Sequence, residues 1–307
     1  MSASTQVQHH AVMQAGFPAG LPVLPGAGTA VLPLGFVDDQ GQSHREVELR
    51  PLTGHEQRLL ASLPQAAPVA LITTELLCRC LKRLGSLPVV DWNVVRGLLA
   101  GDREFLLLKL YQMTYGNKLL ALLRCPAEGC GESLEFPLSL HDCVIDAPPV
   151  SARIWLLKTS QEGNHSIRFR LPTGGDQELL SAETEAEADV LLQQLLLACC
   201  AECDRSLVEG LSPEERAYIE DQMNRLAPQV EVEVEAVCPE CGAGFSTHID
   251  VSYLALAEMK LSEAELDWEV HYLAWHYHWT ETEILVLTPG RRRRYIELVQ
   301  RELEGES

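Results

Sequence analysis

The stretch LLRCPAEGCGESLEF, residues 122–136, carries two cysteines, and VEAVCPECGAGFSTHID, residues 234–250, carries a second pair with matching flanks. Four residues separate Cys125 from Cys130, and two separate Cys238 from Cys241. In both pairs a proline follows the first cysteine and a glycine follows the second. This repeated pattern predicts two related turns, joined in the fold although residues 131–237 lie between them.

Both turns lie between strand-like segments, the arrangement of a zinc knuckle. Four thiolates suit Zn²⁺, which has no d-electron preference for a geometry and binds sulfur at about 2.3 Å. With cysteine at all four positions no coordination site is left for water, so the pattern predicts a structural zinc and not a catalytic one. The metal would offset the entropy of closing so long a loop. The alternative is two unrelated cysteine turns.

Composition limits the classes of protein to consider. The chain has 307 residues, enough for roughly two domains, and a formal net charge of −20. Such an acidic protein is disfavoured as a non-specific binder of nucleic acid or anionic lipid. No apolar run reaches the ~18 residues of a membrane span, and the N-terminus lacks the charged region of a secretory signal. We therefore expect a cytoplasmic protein whose cysteines are thiols or metal ligands.

Hydrophobic periodicity and turn signals predict a helix-rich α+β fold. The predicted units are a disordered Gly/Pro-rich arm at 1–30, a hairpin and helical region at 31–124, a zinc ribbon split between 125–143 and 228–251, an inserted hairpin with helices at 144–227, and a C-terminal helical segment at 252–307. The region 69–124 is predicted helical throughout, with one helix stopping at Gly85, Asp102 as an N-cap, and Leu119 and Leu122 on an apolar helix face.

Four capping-box signatures mark helix starts, each a Ser or Thr followed three residues later by Glu. They begin at Thr53, Ser212, Ser262 and Thr280. Five of the other six cysteines are interpreted as core thiols (Cys78 and Cys80) and as buried thiols of a Leu-rich helix (Cys199, Cys200 and Cys203). His271, His276 and His278 are interpreted as packed or capping side chains, because no two of them are four residues apart.

The C-terminal segment suggests a surface for a partner. Trp268, Tyr272, Trp275 and Trp279 recur at helical spacing, which predicts either a core face or a docking face rich in the residues that dominate interface hot spots. Arg291, Arg292, Arg293 and Arg294 follow near a helix N-terminus, where the helix dipole opposes positive charge. We expect acidic groups of this chain or of a partner to compensate them.

Taken together, these residues resemble the T-even-type phage baseplate hub assembly chaperones, which have relatives in phage-tail-like contractile injection systems. The resemblance runs from about residue 31 to 301. It rests on the order of LPLGFVDDQGQSHREVELRPLTGHE, GDREFLLLKLYQMTYG, RCPAEGCGE, FRLPTGGDQE, CPECG and EVHYLAWHYHWTETEILVLTPGRRRRYIEL. It implies a non-enzymatic role in building a baseplate or its central hub, and metal positions at Cys125, Cys130, Cys238 and Cys241.

We therefore expect an assembly factor or structural component of a contractile-tail baseplate, with baseplate, hub or spike proteins as partners and no nucleic acid or small-molecule substrate. The chain lacks the common nucleotide-binding, serine-hydrolase and zinc-protease motifs. One alternative is a zinc-ribbon nucleic-acid or protein adaptor, although residues 228–251 contain five acids and no Lys or Arg. A hydrolase with an unrecognised site is the other alternative.

Overall fold

The computed structural model describes residues 28–64, 67–140, 153–160, 165–181, 187–228, 231–260 and 262–305. It confirms an α+β fold. The strands are β1 Thr29–Val37, β2 Ser43–Leu49, β3 Leu81–Leu84, β4 Lys118–Arg124, β5 Ser133–Ser139, β6 Trp155–Lys158, β7 Ser166–Phe169, β8 Glu231–Val237 and β9 Gly244–Asp250. The helices are α1 Gly54–Ser62, α2 Val69–Cys80, α3 Trp92–Gly97, α4 Ala100–Tyr115, α5 Gly174–Ser181, α6 Ala188–Cys199, α7 Arg205–Glu209, α8 Pro213–Leu226, α9 Val251–Met259, α10 Glu263–Tyr277, α11 Glu281–Leu285 and α12 Pro289–Gly305.

All strand pairs among the described residues are antiparallel. β1, β2 and β3 form a three-stranded sheet, whereas β4–β5, β6–β7 and β8–β9 are separate hairpins. The predicted N-terminal arm is too long, because Thr29 and Ala30 already pair with Glu48 and Val47. The rest of that arm, residues 1–27, lies outside the described residues, as does the predicted turn at Gly163 and Asn164.

The prediction that 69–124 is helical throughout is wrong at two places. The first helix ends at Cys80 and β3 follows, while residues 118–124 form β4. In β4 burial alternates, so that Leu119, Ala121 and Leu123 are buried and Leu122 is exposed. Leucines at both odd and even positions fit a helix as well as a strand. Residues 118–124 form a strand because β4 pairs with β5 along its whole length.

Asp102 is not the N-cap of α4, which is Leu99. It lies buried in the first turn of α4, and its two carboxylate oxygens accept hydrogen bonds from the backbone N–H groups of Leu34 (2.9 Å) and Gly35 (2.7 Å). Burial raises the pKa of Asp102 to about 6 although these hydrogen bonds oppose the shift. The side chain thus fixes the irregular middle of β1 on α4, where the β1–β2 register shifts.

All four predicted capping boxes are confirmed, at Thr53, Ser212, Ser262 and Thr280. The helix predicted to contain the last three thiols instead ends at Cys199, and Cys200 bridges to Phe169 at the edge of β7. Cys199 is buried and Cys200 half-buried, but Cys203 is exposed, so its assignment as a buried helix thiol is wrong. Cys80 is buried as expected, and Cys78 is half-buried.

One core holds the two cysteine-bearing hairpins together with α2, α4 and α9, through residues such as Leu123, Val234 and Leu256. A second core joins β6, β7, α6 and α8, and includes Leu34 of β1. The polypeptide between the cysteine pairs therefore leaves the first hairpin, packs its own core against the N-terminal region, and returns to the second hairpin. The other domain limits predicted from the sequence stay a prediction.

Gly174 begins α5 where that helix meets α4. A Cβ atom at Gly174 would overlap the guanidinium of Arg103. Arg103 is 1% exposed, and its Nη2 donates to the carbonyl of Ala70 at 2.7 Å. The buried guanidinium therefore occupies the space that any side chain at residue 174 would need.

We expect Gly174→Ala to lower the free energy of unfolding by about 1–3 kcal/mol, the usual cost of overpacking a core. Gly175→Ala is the matched control, because its Cβ would lie 3.7 Å or more from its nearest neighbours. In a helix that change should be neutral or stabilising by up to about 1 kcal/mol. Urea unfolding of both variants measures the difference, and equal stabilities would contradict the role given to Arg103.

Candidate metal centre

The four cysteines meet at the tips of two hairpins. Cys125 follows β4 and Cys130 precedes β5, while Cys238 follows β8 and Cys241 precedes β9. Each turn is closed by the amide of its first cysteine, since Cys125 N–H donates to Glu132 O at 2.8 Å and Cys238 N–H donates to Ala243 O at 2.9 Å. Residues far apart in the chain thus form one site, because both hairpins pack on the same core.

The four Sγ atoms all lie within 4.8 Å of one another. The Sγ atoms of Cys125 and Cys241 are 3.6 Å apart, and those of Cys130 and Cys238 are 3.7 Å apart. A disulfide would require about 2.05 Å, whereas bonds of about 2.3 Å from a tetrahedral metal separate its sulfur ligands by about 3.8 Å. The arrangement is therefore compatible with a metal site made of four thiolates.

The glycine after the second cysteine of each pair has a positive φ angle. Gly131 has φ 66° and Gly242 has φ 71°, and no atom lies within 4 Å of a Cβ built on either. The constraint is therefore conformational and not one of space. Residues with a side chain rarely adopt this left-handed conformation, so the prediction that these glycines permit the turns is confirmed.

Electrostatics within the cluster is uneven. Hydrogen bonds from the backbone amides of Cys241 and Glu240, helped by the neighbouring thiols, lower the pKa of Cys238 to about 7. The pKa of Cys125 rises to about 12: the backbone amide of Ala127 favours its thiolate, but burial and the adjoining sulfurs outweigh that contact. Four thiolates side by side repel one another, and a divalent cation between them would remove that repulsion.

Burial of the cluster suits a structural centre. Cys125 and Cys238 are buried, Cys130 is half-buried and Cys241 is exposed at the rim. With four sulfur donors a tetrahedral metal has its full set of ligands. No other group of three or more His, Cys, Asp or Glu side chains converges in this way within the described part of the chain.

The C-terminal aromatic residues do not form one stripe. Trp268 and Trp275 lie on α10 with 50% and 72% of their surface exposed. Trp279 lies beyond the end of α10, where it stacks on Tyr277 and meets Tyr295 edge-on at 5.0 Å between ring centroids. Trp279 is thus part of a small core, and the helical spacing that places it with the other three residues is misleading.

The four arginines are also separated, because consecutive residues of α12 face different sides. Arg291, Arg293 and Arg294 are exposed, whereas Arg292 is 0% exposed. The Nε of Arg292 donates to Glu269 at 2.7 Å and its Nη1 to Leu287 O at 2.8 Å, and its Nη2 donates to Gln57. Inclusion of Arg292 in a partner-binding cluster is therefore wrong, since it joins α12 to α10 and α1 inside the protein.

Sequence reasoning missed this buried network, although a signal for it exists. Leu266, Val270, Leu273 and Tyr277 share the helical spacing of the aromatic residues and form the inner side of α10. Glu269 lies beside this inner stripe and pairs with Arg292. Helix α10 therefore has two apolar stripes. The stripe with fewer aromatic residues, Leu266 to Tyr277, packs on the core of the protein.

No helix among the described residues has the length and apolar character needed to cross a membrane.

Residues 36–177 match the family model described as T4 bacteriophage base plate protein. The matched range includes β2 to β7 and the first cysteine pair, and it ends within α5. No curated protein and no solved structure matches the chain.

Proposed function

We propose that the protein is a non-enzymatic component or assembly factor of the baseplate or hub in a contractile, phage-tail-like particle, because residues 36–177 match the family model described as T4 bacteriophage base plate protein. The family match is the observation that carries this proposal. Its partners are then other baseplate, hub or spike proteins. The protein is made in the cytoplasm and either stays in the finished particle or leaves after assembly as a chaperone.

A structural Zn²⁺ at Cys125, Cys130, Cys238 and Cys241 completes the proposal. The sulfur separations of 3.6 and 3.7 Å support it, since they match a tetrahedral thiolate set. The metal would tie the tips of the β4–β5 and β8–β9 hairpins together, in the manner of a split zinc ribbon. In this role the thiolates hold the two hairpins in a fixed relation, a rigid base for the inserted region.

The same proposed metal chemistry supports a role without catalysis. A metal held by four thiolates has no open position at which to activate water. Two buried ionisable groups hold elements of the fold together, since Asp102 holds β1 on α4 and Arg292 joins α10 and α12. We accordingly propose that the protein acts stoichiometrically.

The nucleic-acid adaptor is the weaker candidate. On the outer face of the β8–β9 hairpin the side chains of Glu233 and Glu235 are exposed. Carboxylates beside a ribbon repel a phosphate backbone, whose binding requires Lys or Arg. A protein partner suits this surface better.

Deleting the gene tests the proposal. Sheath and tube proteins should still be made, while electron microscopy should show baseplates absent or incomplete. Expression from a plasmid should restore particles in proportion to the amount of protein supplied. Normal baseplates in the deletion strain would contradict the proposal, and rescue by far less than one copy per particle would contradict the stoichiometric role. Mass spectrometry of washed particles separates a resident subunit from a chaperone.

A further inference from the structure

Helix α10 has an outer side rich in ring side chains, of which Trp268, His271 and Trp275 are exposed while Tyr272 and His276 are half-buried. Its inner side, with Leu266 and Leu273 at 1% and 0% exposure, packs on the other C-terminal helices. The outer side consists of five aromatic or imidazole rings and is called here the aromatic face. Its members are Trp268, His271, Tyr272, Trp275 and His276.

The rings of the aromatic face are ordered by contacts with each other. Trp268 stacks on Tyr272 with centroids 5.2 Å apart, and Tyr272 meets His276 at 4.6 Å. His271 lies 6.4 Å from Trp275. Rings that are already held in place lose little conformational entropy on binding, and large exposed apolar patches on a protein surface mark interaction sites.

The charge around the aromatic face is negative. Residues 262–283 include six carboxylates and no Lys or Arg. Three of the six meet arginines of this chain, because Glu269 pairs with Arg292 while Asp267 and Glu281 share Arg58. The other three are exposed, and no basic side chain of the described residues pairs with them: Glu263, Glu265 and Glu283.

We propose that the aromatic face of α10 docks a basic, arginine- or lysine-bearing surface of another baseplate protein. A cation above the face of a Trp or Tyr ring is attracted by the ring quadrupole, and the three carboxylates that have no basic partner add direct attraction. The net charge of −20 steers a basic partner toward this protein over longer distances. This inference rests on the proposed baseplate function and specifies the surface and the partner chemistry.

Two other occupants fit the charges less well. A second copy of the chain that docks through the same face would bring two sets of exposed carboxylates together, and like charges across an interface are repulsive. Residues 1–27 of the same chain contain no Lys or Arg, so they offer the rings no guanidinium or ammonium side chain.

Titration calorimetry with the full, metal-containing chain tests the inference, using in turn each purified baseplate protein encoded with it. We expect one of them to bind, and to bind more weakly as the salt concentration rises. Trp275→Ala and Trp268→Ala should each weaken that binding at least tenfold without changing the melting temperature, because both side chains are exposed. Leu303→Ala is the control, since Leu303 is a 50% exposed apolar residue of α12 and lies outside the aromatic face.

Each outcome of the experiment is decisive. Wild-type affinity in both Trp variants, or a contact surface on the partner that is acidic, overturns the inference and leaves the proposed function in place. Loss of self-association in Trp275→Ala, measured by sedimentation equilibrium, also overturns it, because the occupant is then a second copy. Binding of none of the baseplate proteins removes the proposed function and this inference with it.

Discussion

Purified protein should contain about one zinc per chain, and Cys238→Ser should lose both the metal and much of its stability. Cys238 is 1% exposed and lies between the two hairpins, so serine in its place removes a thiolate and leaves a buried hydroxyl. Structural zinc contributes on the order of 10 kcal/mol in small zinc-dependent domains. In this larger protein, with several cores, we expect a loss of several kcal/mol and a melting temperature lower by roughly 10 °C or more.

Elemental analysis and thermal melting measure these effects, and cobalt substitution should give the absorption bands of a tetrahedral thiolate site. Cys203→Ser is the matched control, because Cys203 is an exposed thiol outside the cluster, and it should retain zinc and stability. Adding a chelator to the wild-type protein should reproduce the effect of Cys238→Ser. A chain that is metal-free, reduced and as stable as the loaded one would disprove the zinc centre.

Arg292→Ala should destabilise the C-terminal helices strongly, while its neighbour Arg293→Ala should not. Removing Arg292 leaves the carboxylate of Glu269, whose side chain is 12% exposed, without its partner, and it opens a cavity between α12 and α1. Breaking one side of a buried ion pair commonly costs about 3–5 kcal/mol. Arg293 is exposed on the same helix, and substitutions of exposed residues usually change stability by less than about 0.5 kcal/mol.

Chemical unfolding of the two variants, followed by fluorescence, gives the comparison. Trp268, Trp275 and Trp279 lie in or next to α10 and report on this part of the protein. Equal stability of the two variants would mean that Arg292 is not held as the structure shows. An assembly defect of Arg292→Ala at a temperature where the variant is unfolded reflects folding and carries no information about partner binding.

The sequence predicted correctly those features that depend on a few neighbouring residues. Capping boxes need only a hydroxyl and a carboxylate three residues apart, and all four were found where the pattern begins. The cysteine turns need a glycine with positive φ after the second cysteine, and that glycine is visible in the sequence. The convergence of both turns was inferred from their matching flanks, and the sulfur positions agree with it.

Tertiary contacts decided what local pattern left ambiguous. Taken by itself, the run KLLALLR, residues 118–124, fits a helix as well as a strand. It forms β4 because β5 pairs with it and because the core lies on one side of the hairpin. Aspartate is a common N-cap residue, but the carboxylate of Asp102 is buried and accepts hydrogen bonds from two backbone amides of β1. Arg292 and Arg293 are neighbours of the same type on α12, but only Arg292 lies on the side of the helix that faces Glu269. The sequence alone therefore determined the four capping-box helix starts and the cysteine turns, whose interactions are short-range, while burial and charge pairing depend on residues brought close only by the complete fold.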